Sequence, residues 1–245
     1  MYYFVSDIHL GLDAATTSAE RERRFISWLD VVSSDAKAIF LAGDIFDFWF
    51  EFKRVVPKGF TRLLARIASL TESGTQVHLI CGNHDYWCGD YLTKECGIII
   101  HKKAVEVELY GKRLYIDHGH QVPRGSLIVS AMNFVFSSGL VKAVASAVLH
   151  PNFILGLGQG WSSSSRKAKP LTSTFAQEKE PITVFARKKL ETEHIDYFVF
   201  GHLHCLADYA LNDTSRLIIL GEWIEHSSYA RLSEDGVMSL LDFEK

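Results

Sequence analysis

Five apolar runs in this chain end in the same way, in a short group of aspartate, asparagine, histidine or glycine residues. The runs are rich in valine, isoleucine and phenylalanine, and they read YYFVSDIH, AIFLAGD, VHLICGNHD, RLYIDHGH and YFVFGHLH. Continuous apolar runs of this kind are typical of strands that are covered on both faces. We therefore expect a buried β-sheet core whose strands all end in polar residues.

Amphipathic helices are predicted between the early runs. Apolar residues recur at i, i+3, i+4 and i+7 from Phe25 to Val32, and again from Phe60 to Ile67. The resulting order β-α-β-α-β indicates a layered sheet with helices outside. Ligands of such sheets bind beyond the carboxyl ends of the strands, which is where the polar residues of the five runs lie.

The rest of the chain adds further strands. Residues 104–117 predict a hairpin that turns at Gly111, and residues 207–243 contain strand patterns separated by Asn-Asp and Glu-Asp-Gly turns. A chain of 245 residues suits one large α/β domain, so we expect a single domain over residues 1–245.

The polar residues at the strand ends are donors of oxygen or imidazole nitrogen, without a thiolate. Such donors suit Mn²⁺, Fe²⁺ or Zn²⁺. His202 and His204 are two residues apart on a strand end, so their rings point the same way. The set exceeds what one tetrahedral ion needs, and a pair of ions roughly 3.5–4 Å apart is a known arrangement for phosphate-ester hydrolysis. The set is Asp7, His9, Asp44, Asn83, His84, His118, His202 and His204.

The alternative is that these histidines are ordinary core residues. A single D-x-H arises by chance in many chains of this length, whereas G-N-H-D is expected by chance in about one chain in a thousand. Here G-N-H-D follows a predicted strand and lies in order between G-D and G-H-x-H. The ordered set favours metal binding.

The ordered motifs D-x-H, G-D-x-x-D, G-N-H-D, H-G-H and G-H-x-H resemble the signature of the calcineurin-like metallophosphoesterases, over residues 7–204. The resemblance implies an α/β fold, a βαββ sandwich of four layers (α/β/β/α), with two metal ions at the strand ends. A hydroxide that bridges the ions would attack phosphorus, because two cations acidify a bound water.

The resemblance also implies a role for each motif residue. His84 would contact the phosphoryl oxygen or protonate the leaving group. Asp47 and Asp85 would orient histidines. One ion would be held by Asp7, His9 and His204, the other by Asn83, His118 and His202, with Asp44 bridging the two.

A narrower resemblance concerns the UDP-2,3-diacylglucosamine diphosphatases. It rests on GDIFDFWFEFK, on the apolar insertion between HGH and GHLH, and on LGEWIEHSSYARL. Members of that family cleave the pyrophosphate of a lipid A precursor into a lipid monophosphate and UMP, and Mn²⁺ is the ion we expect. Two positions depart from the family: His120 stands where members commonly read H-G-D, and His84 where one branch reads G-N-R-D.

Residues 126–161 are unusually apolar, and their only charged residue is Lys142. A membrane span there would place His118 and His202 on opposite sides of the bilayer and so destroy a site that needs both. We therefore expect a helical cap over residues 124–170, either folded over the site or lying on the membrane surface.

Substrate-binding residues are sought near this cap. The segment WSSSSRKAK, residues 161–169, is either a solvated loop or a clamp for a diphosphate, in which Arg166 suits bidentate contact with phosphate. Arg124 and Trp161 are further candidates. The aromatic residues between Phe46 and Phe52 either pack in the core or line an apolar pocket near the metals.

Composition excludes some partners. The formal net charge is −3 and there is no basic tail or stripe, which argues against a nucleic-acid partner. The N-terminus MYYFVSDIHL has no signal-peptide pattern and the four cysteines form no C-x-x-C pair, so we expect a cytoplasmic enzyme, free or peripheral on the inner membrane. The alternatives to a lipid-linked nucleotide substrate are a soluble nucleotide or phosphodiester, and a metal-free scaffold on the same fold.

Overall fold

Each of the five apolar runs forms a strand in the computed structural model, which describes residues 1–122, 138–167 and 174–243. The strands carry numbers in chain order. They are β1 Tyr2–Val5, β2 Ala38–Leu41, β3 Gln76–Ile80, β4 Ile99–His101, β5 Val105–Leu109, β6 Lys112–Asp117, β7 Tyr197–Phe200, β8 Leu206–Ala210, β9 Arg216–Leu220, β10 Ser228–Leu232 and β11 Met238–Asp242.

The predicted hairpin is confirmed as β5 and β6, which pair antiparallel around a turn at Tyr110 and Gly111, both with positive φ.

The helices lie between these strands. The helices are α1 Ser18–Val32, α2 Thr61–Glu72, α3 Tyr91–Cys96, α4 Gly139–Val148, α5 Pro151–Lys167 and α6 Pro181–Leu190, with a 3₁₀ turn at Gln177–Lys179.

The strands form two sheets. One has the order β11-β10-β1-β2-β3-β4, and the other has the order β5-β6-β7-β9-β8. The run from β1 to β4 is parallel, as the β-α-β-α-β pattern predicted. Residues such as Phe4, Phe40 and Val199 fill the space between the two sheets. Helices α1 and α2 cover the outer face of the first sheet, and α6 covers that of the second, which gives four layers.

The two early helices begin differently. Thr17 and Glu20 form a capping box at the start of α1, which typically stabilises a helix by about 1 kcal/mol. The predicted stripe from Phe25 to Val32 is buried. The second predicted stripe lies on α2, and its first residue, Phe60, is the N-cap, with φ 61° and a carbonyl that accepts from the N–H of Leu64.

Two helices of the described residues lie within the expected cap, and they contact the core at a few points. Ile154 of α5 is buried. A Cβ added to Gly158 would lie 2.5 Å from ring atoms of Phe48, so only a glycine lets α5 approach this ring so closely. Lys142 of α4 donates from Nζ to the carbonyl of Trp87 at 2.8 Å. No helix in the described part of the chain is both long and apolar enough to cross a bilayer.

Candidate metal centre

Loops from both sheets meet beyond the carboxyl ends of their strands, and hydrogen bonds join them. The backbone N–H of His202, after β7, donates to Asp7 Oδ2 at 2.9 Å. The backbone N–H of His84, after β3, donates to Asp44 Oδ1 at 3.0 Å. Each aspartate thus uses one oxygen to hold a neighbouring motif, which leaves its second oxygen for the site.

The second oxygen of Asp7 faces two imidazole rings. Asp7 Oδ1 lies 3.2 Å from His204 Nε2 and 3.7 Å from His9 Nε2, and the two Nε2 atoms are 3.2 Å apart. Asp7 Oδ1 is buried and makes no well-aligned hydrogen bond to any described residue. Three potential metal-ligand atoms of Asp7, His9 and His204 therefore converge on one point.

The second oxygen of Asp44 lies between two groups of histidines. Asp44 Oδ2 is 3.2 Å from His118 Nε2, and His118 Nε2 is 3.2 Å from His202 Nδ1. The same oxygen is 3.9 Å from His9 Nε2 and 3.9 Å from His84 Nε2. Asp44 is thus shared by two ligand-type groups, as a bridging carboxylate must be.

The ring of His118 is oriented by the backbone. Its Nδ1 lies 2.9 Å from the carbonyl oxygen of Ala42, which can only accept a hydrogen bond. Nδ1 therefore carries a proton, so Nε2 donates to Asp44 when the ring is protonated and has a lone pair for a metal ion when the ring is neutral. This is how a metal-binding histidine is usually held, with the other nitrogen donating to a carbonyl.

The electrostatics of the site favour positive charge. Burial would lower the pKa of His118, but the charge of Asp44 and the hydrogen bond to it raise that pKa to about 10. Burial would also lower the pKa of His9, yet contacts with Asp47 and Asp7 raise it to about 9. Burial raises the pKa of Asp7, and the nearby imidazoles outweigh this and hold it well below its usual range. Convergent buried carboxylates and imidazoles therefore fit divalent cations.

Five of the predicted residues adopt left-handed backbone conformations that residues other than glycine rarely use. Such conformations cost about 1–3 kcal/mol each and cluster at functional sites. The φ values are 54° at Asp7, 50° at His9, 53° at Asp44, 69° at His202 and 53° at His204. The expectation that His202 and His204 lie on a strand end with parallel rings was wrong: both follow the end of β7, and His202 lies with Asp44 and His118 whereas His204 lies with Asp7 and His9.

The glycines of the motifs leave room for the carboxylates. A Cβ on Gly82 would lie 2.1 Å from Asp44 Oδ1, and a Cβ on Gly201 would lie 2.6 Å from Asp7 Oδ2. Neither distance is compatible with a side chain. The glycine that precedes N-H-D and the glycine that precedes H-L-H are therefore needed because another motif approaches their backbone.

His84 lies at the edge of the shared group. Its Nδ1 is 2.6 Å from the carbonyl oxygen of Asp47, which fixes the ring, and its side chain is 18% exposed. Burial lowers the pKa of His84, and the charge of Asp44 partly offsets this. Asn83, which directly precedes His84, is exposed, and its role as a ligand stays a prediction. His120 lies beside the second group, with its ring centroid 5.4 Å from that of His118.

The two supporting aspartates act differently. Asp47 behaves as predicted, since its Oδ1 lies 3.4 Å from His9 Nδ1. Asp85 instead holds backbone: its carboxylate accepts hydrogen bonds from the N–H of Ile45 at 2.9 Å and of Gly82 at 2.7 Å. It fastens the loop after β2 to the loop after β3, because that is where unpaired N–H groups are buried.

The aromatic run after Asp44 is mainly core. Phe46, Trp49 and Phe50 are buried. Phe48 is partly exposed and contacts α5. Three residues were predicted to bind the substrate, namely Arg124, Trp161 and Arg166. Arg124 lies outside the described residues, and the side chains of Trp161 and Arg166, on α5, do as well.

Sequence reasoning missed two residues that support the site. Arg21 is fully buried and donates to the loop that carries His9. Trp223 donates its backbone N–H to the carbonyl of Asp7 at 3.1 Å. A signal for Arg21 was present, because it lies one helical turn before Phe25 and so continues the buried stripe of α1.

A family comparison agrees with this geometry. The model of the calcineurin-like phosphoesterase family matches residues 2–206. The chain belongs to this family. It is therefore a metal-dependent hydrolase, and its sandwich is the metallophosphoesterase fold that the motifs predicted.

Curated relatives share most of their length with this chain. One is the UDP-2,3-diacylglucosamine hydrolase of Porphyromonas gingivalis, 39% identical over 242 residues, with 93% of this chain and 92% of the relative covered. Another is the UDP-2,3-diacylglucosamine hydrolase of Shewanella pealeana, 25% identical, with 96% and 94% covered. Among solved structures, an archaeal phosphodiesterase matches with a TM-score of 0.50 at 12% identity, over 99% of both chains, which is a likeness of fold.

Proposed function

We propose that this chain hydrolyses the pyrophosphate of UDP-2,3-diacylglucosamine to UMP and the diacylglucosamine monophosphate. Water adds to one phosphorus, the bond from that phosphorus to the bridging oxygen breaks, and the other phosphate leaves. The observation that carries the proposal is the position of Asp44 Oδ2 between two histidine groups, in a chain similar over its length to hydrolases named for this substrate.

Two divalent ions would be held by this arrangement, with Mn²⁺ as the expected ion and Fe²⁺ or Zn²⁺ suited to the same donors. When bound, the ions supply positive charge that activates water and neutralises the phosphate oxygens. Asp7 and Asp44 contribute the oxygens that their backbone contacts leave free. The ligand sets are Asp7, His9 and His204 for one ion, Asn83, His118 and His202 for the other, and Asp44 for both.

We infer that His84 acts on the substrate. Its Nδ1 is held by the carbonyl of Asp47, so the ring cannot turn away from the shared group without losing that bond. Its Nε2 lies on the side of Asp44 Oδ2. Donation from Nε2 requires the protonated ring, which burial disfavours and the negative charge of a bound phosphate would favour; in that state the ring would donate to a phosphoryl oxygen or to the departing phosphate.

The apolar surface of α4 and α5 supports a lipid substrate. Val144 is 55% exposed and Val148 75% exposed on α4, and Phe153 and Leu157 are more than half exposed on α5. Val141, Val144, Ala145, Val148 and Leu149, on and just after α4, form one open apolar surface. Acyl chains that cover such a surface contribute about 0.8 kcal/mol for each buried methylene.

The cap over residues 124–170 and the surroundings of the substrate complete the proposal. A substrate with two acyl chains resides in a membrane, so we expect the protein to act at the cytoplasmic membrane surface, with the exposed apolar side of α4 and α5 towards the lipid. Arg124, Arg166 and Trp161 remain our candidates for contact with the diphosphate and the uridine.

The test is the identity of the products. Purified protein is incubated with Mn²⁺ and UDP-2,3-diacylglucosamine, and the products are separated and identified by mass spectrometry. We expect UMP and the diacylglucosamine monophosphate in equal amounts, and no reaction in a chelator. Release of UDP, or an unchanged substrate under conditions where an aryl phosphodiester is hydrolysed, would overturn the assignment.

A further inference from the structure

Arg21, on the first turn of α1, is fully buried, and its guanidinium donates hydrogen bonds to backbone carbonyls. Its Nε donates to the carbonyl of Ile8 at 3.0 Å, and Nη2 donates to the carbonyl of His9 at 2.9 Å. Nη2 also donates to the carbonyl of Leu12, and Nη1 donates to the carbonyl of Thr16 at 2.6 Å and to its Oγ1 at 3.1 Å. One side chain therefore holds the loop that follows β1 at four positions.

That loop carries strained backbone at both of its proposed metal ligands. Asp7 and His9 have φ values of 54° and 50°, which non-glycine residues rarely adopt. Ile8 lies between them, so two of the carbonyls that Arg21 holds belong to the strained turn itself. A conformation of this kind persists only where the surrounding contacts enforce it.

The guanidinium of Arg21 bonds to uncharged oxygens rather than to a carboxylate among the described residues. In the described part of the chain, no carboxylate lies within ion-pair distance of its guanidinium, although the charges of Asp47, Asp13 and Glu222 act on it from further away. Burying an arginine without a direct partner is costly unless its donors are all used. Here the five donors of the planar guanidinium meet four carbonyl oxygens and the hydroxyl oxygen of Thr16, which a lysine cannot reproduce.

We propose that Arg21 is a positioning residue that holds Asp7 and His9 in the geometry that receives the first metal ion. This inference rests on the proposed function, because it takes Asp7 and His9 as ligands. It adds a residue outside the family motifs, on a helix that carries none of the ligands. Residues that orient metal ligands typically change metal affinity by about 10–100-fold when they are replaced.

The test is a double-mutant cycle read by metal binding rather than by activity. Arg21→Lys keeps the charge and loses the fork. It is combined separately with His118→Ala, which removes a ligand of the second ion, and with His9→Ala, which removes a ligand of the first. Chelator-treated protein is titrated with MnCl₂, and free Mn²⁺ is measured by electron paramagnetic resonance. Arg66→Lys is the matched control, since Arg66 bonds to Asp30 and Ser33 at the C-terminal end of α1, whereas Arg21 lies on its first turn.

We expect Arg21→Lys to weaken the remaining Mn²⁺ site by about 10–100-fold in the His118→Ala background. In the His9→Ala background it should leave the remaining site within about twofold, because the ligands of that site include neither Asp7 nor His9. Equal weakening in both backgrounds would show a general loss of structure and would overturn the inference, as would no weakening in either.

A second variant tests the inference if Arg21→Lys does not fold. Arg21→Gln keeps a planar group with two donors, and it is judged by the same cycle after circular dichroism shows retained helix content. Wild-type protein that binds two Mn²⁺ ions while both Arg21 variants bind them equally well would overturn this inference and leave the proposed function standing. Wild-type protein that binds no Mn²⁺ would overturn both.

Discussion

The backbone N–H of His202 donates to Asp7 Oδ2 at 2.9 Å, which joins two motifs 195 residues apart in the chain. The first motif and the last are therefore one unit of structure. Asp44 and His84 are joined in the same way. Because each aspartate is tied by one oxygen, its other oxygen is fixed in direction before any ion arrives, which is the preorganisation that a metal site requires.

Replacing Asp44 should remove the metals and leave the fold. Asp44 Oδ2 is shared by both histidine groups, so Asp44→Asn, which keeps the shape, should lower bound metal below two ions per chain and hydrolysis by at least about 10³-fold. Elemental analysis counts the ions, and circular dichroism reports the fold. Asp90→Asn, at an exposed helix start, is the control. Two ions per chain in Asp44→Asn would show that it does not bridge.

Replacing His84 should separate chemistry from binding. If His84 donates a hydrogen bond or proton in the transition state, His84→Ala should lower kcat by about 10²–10⁴-fold while both metals stay bound. His84→Gln keeps a donor and should retain more activity. An unchanged kcat with a raised KM would assign His84 to substrate binding instead.

Adding a methyl group to Gly201 should damage the site from the backbone side. Its Cβ would lie 2.6 Å from Asp7 Oδ2, so Gly201→Ala must displace the carboxylate or the loop after β7. We expect a loss of metal affinity and at least about 10-fold lower kcat/KM. Gly156→Ala on α5 meets no atom within 4 Å and should keep wild-type values. Full metal binding in Gly201→Ala would contradict the close approach.

Much of this arrangement is local in the sequence, and that part was predictable. The strands, the hairpin at Gly111 and the donor set all follow from short patterns, because burial and turn chemistry act over a few residues. What joins the motifs is not local. The bond from His202 to Asp7 and the role of Asp85 on backbone depend on how two sheets meet. Arg21 was missed because an arginine on an apolar stripe can be either solvated or buried, and which of the two occurs depends on how the loop after β1 packs against α1.

The pair His78 and His101 should make the free energy of unfolding depend on pH in the acid range. His78 Nδ1 lies 3.0 Å from His101 Nε2 where β3 pairs with β4, away from the metal centre. Burial and the charge of His101 lower the pKa of His78 to about 4, and burial lowers that of His101. Well above pH 6.5, the usual pKa of a histidine in the unfolded chain, the histidines are neutral in both states. As the pH falls towards 4, the unfolded chain binds protons that the folded chain does not, so the free energy of unfolding decreases.

The variant His78→Phe tests this linkage. The phenylalanine keeps the stacking on Phe40, whose ring centroid lies 4.7 Å from that of His78, and removes the titrating group. The difference in free energy of unfolding between the variant and the wild type should shift in favour of the variant between pH 6.5 and 4. Urea denaturation at a series of pH values measures it. A difference that is constant with pH would show that the pair is not linked to folding.

The central claim is that this metal centre serves an acylated sugar nucleotide, and relative specificity tests it most directly. Values of kcat/KM are measured with Mn²⁺ for UDP-2,3-diacylglucosamine, UDP-glucosamine and an aryl phosphodiester. Burial of only about five methylene groups contributes about 4 kcal/mol, so we expect the acylated substrate to be preferred by at least about 10³-fold. Comparable values for all three compounds, or activity on the aryl ester alone, would contradict the account and favour a soluble substrate.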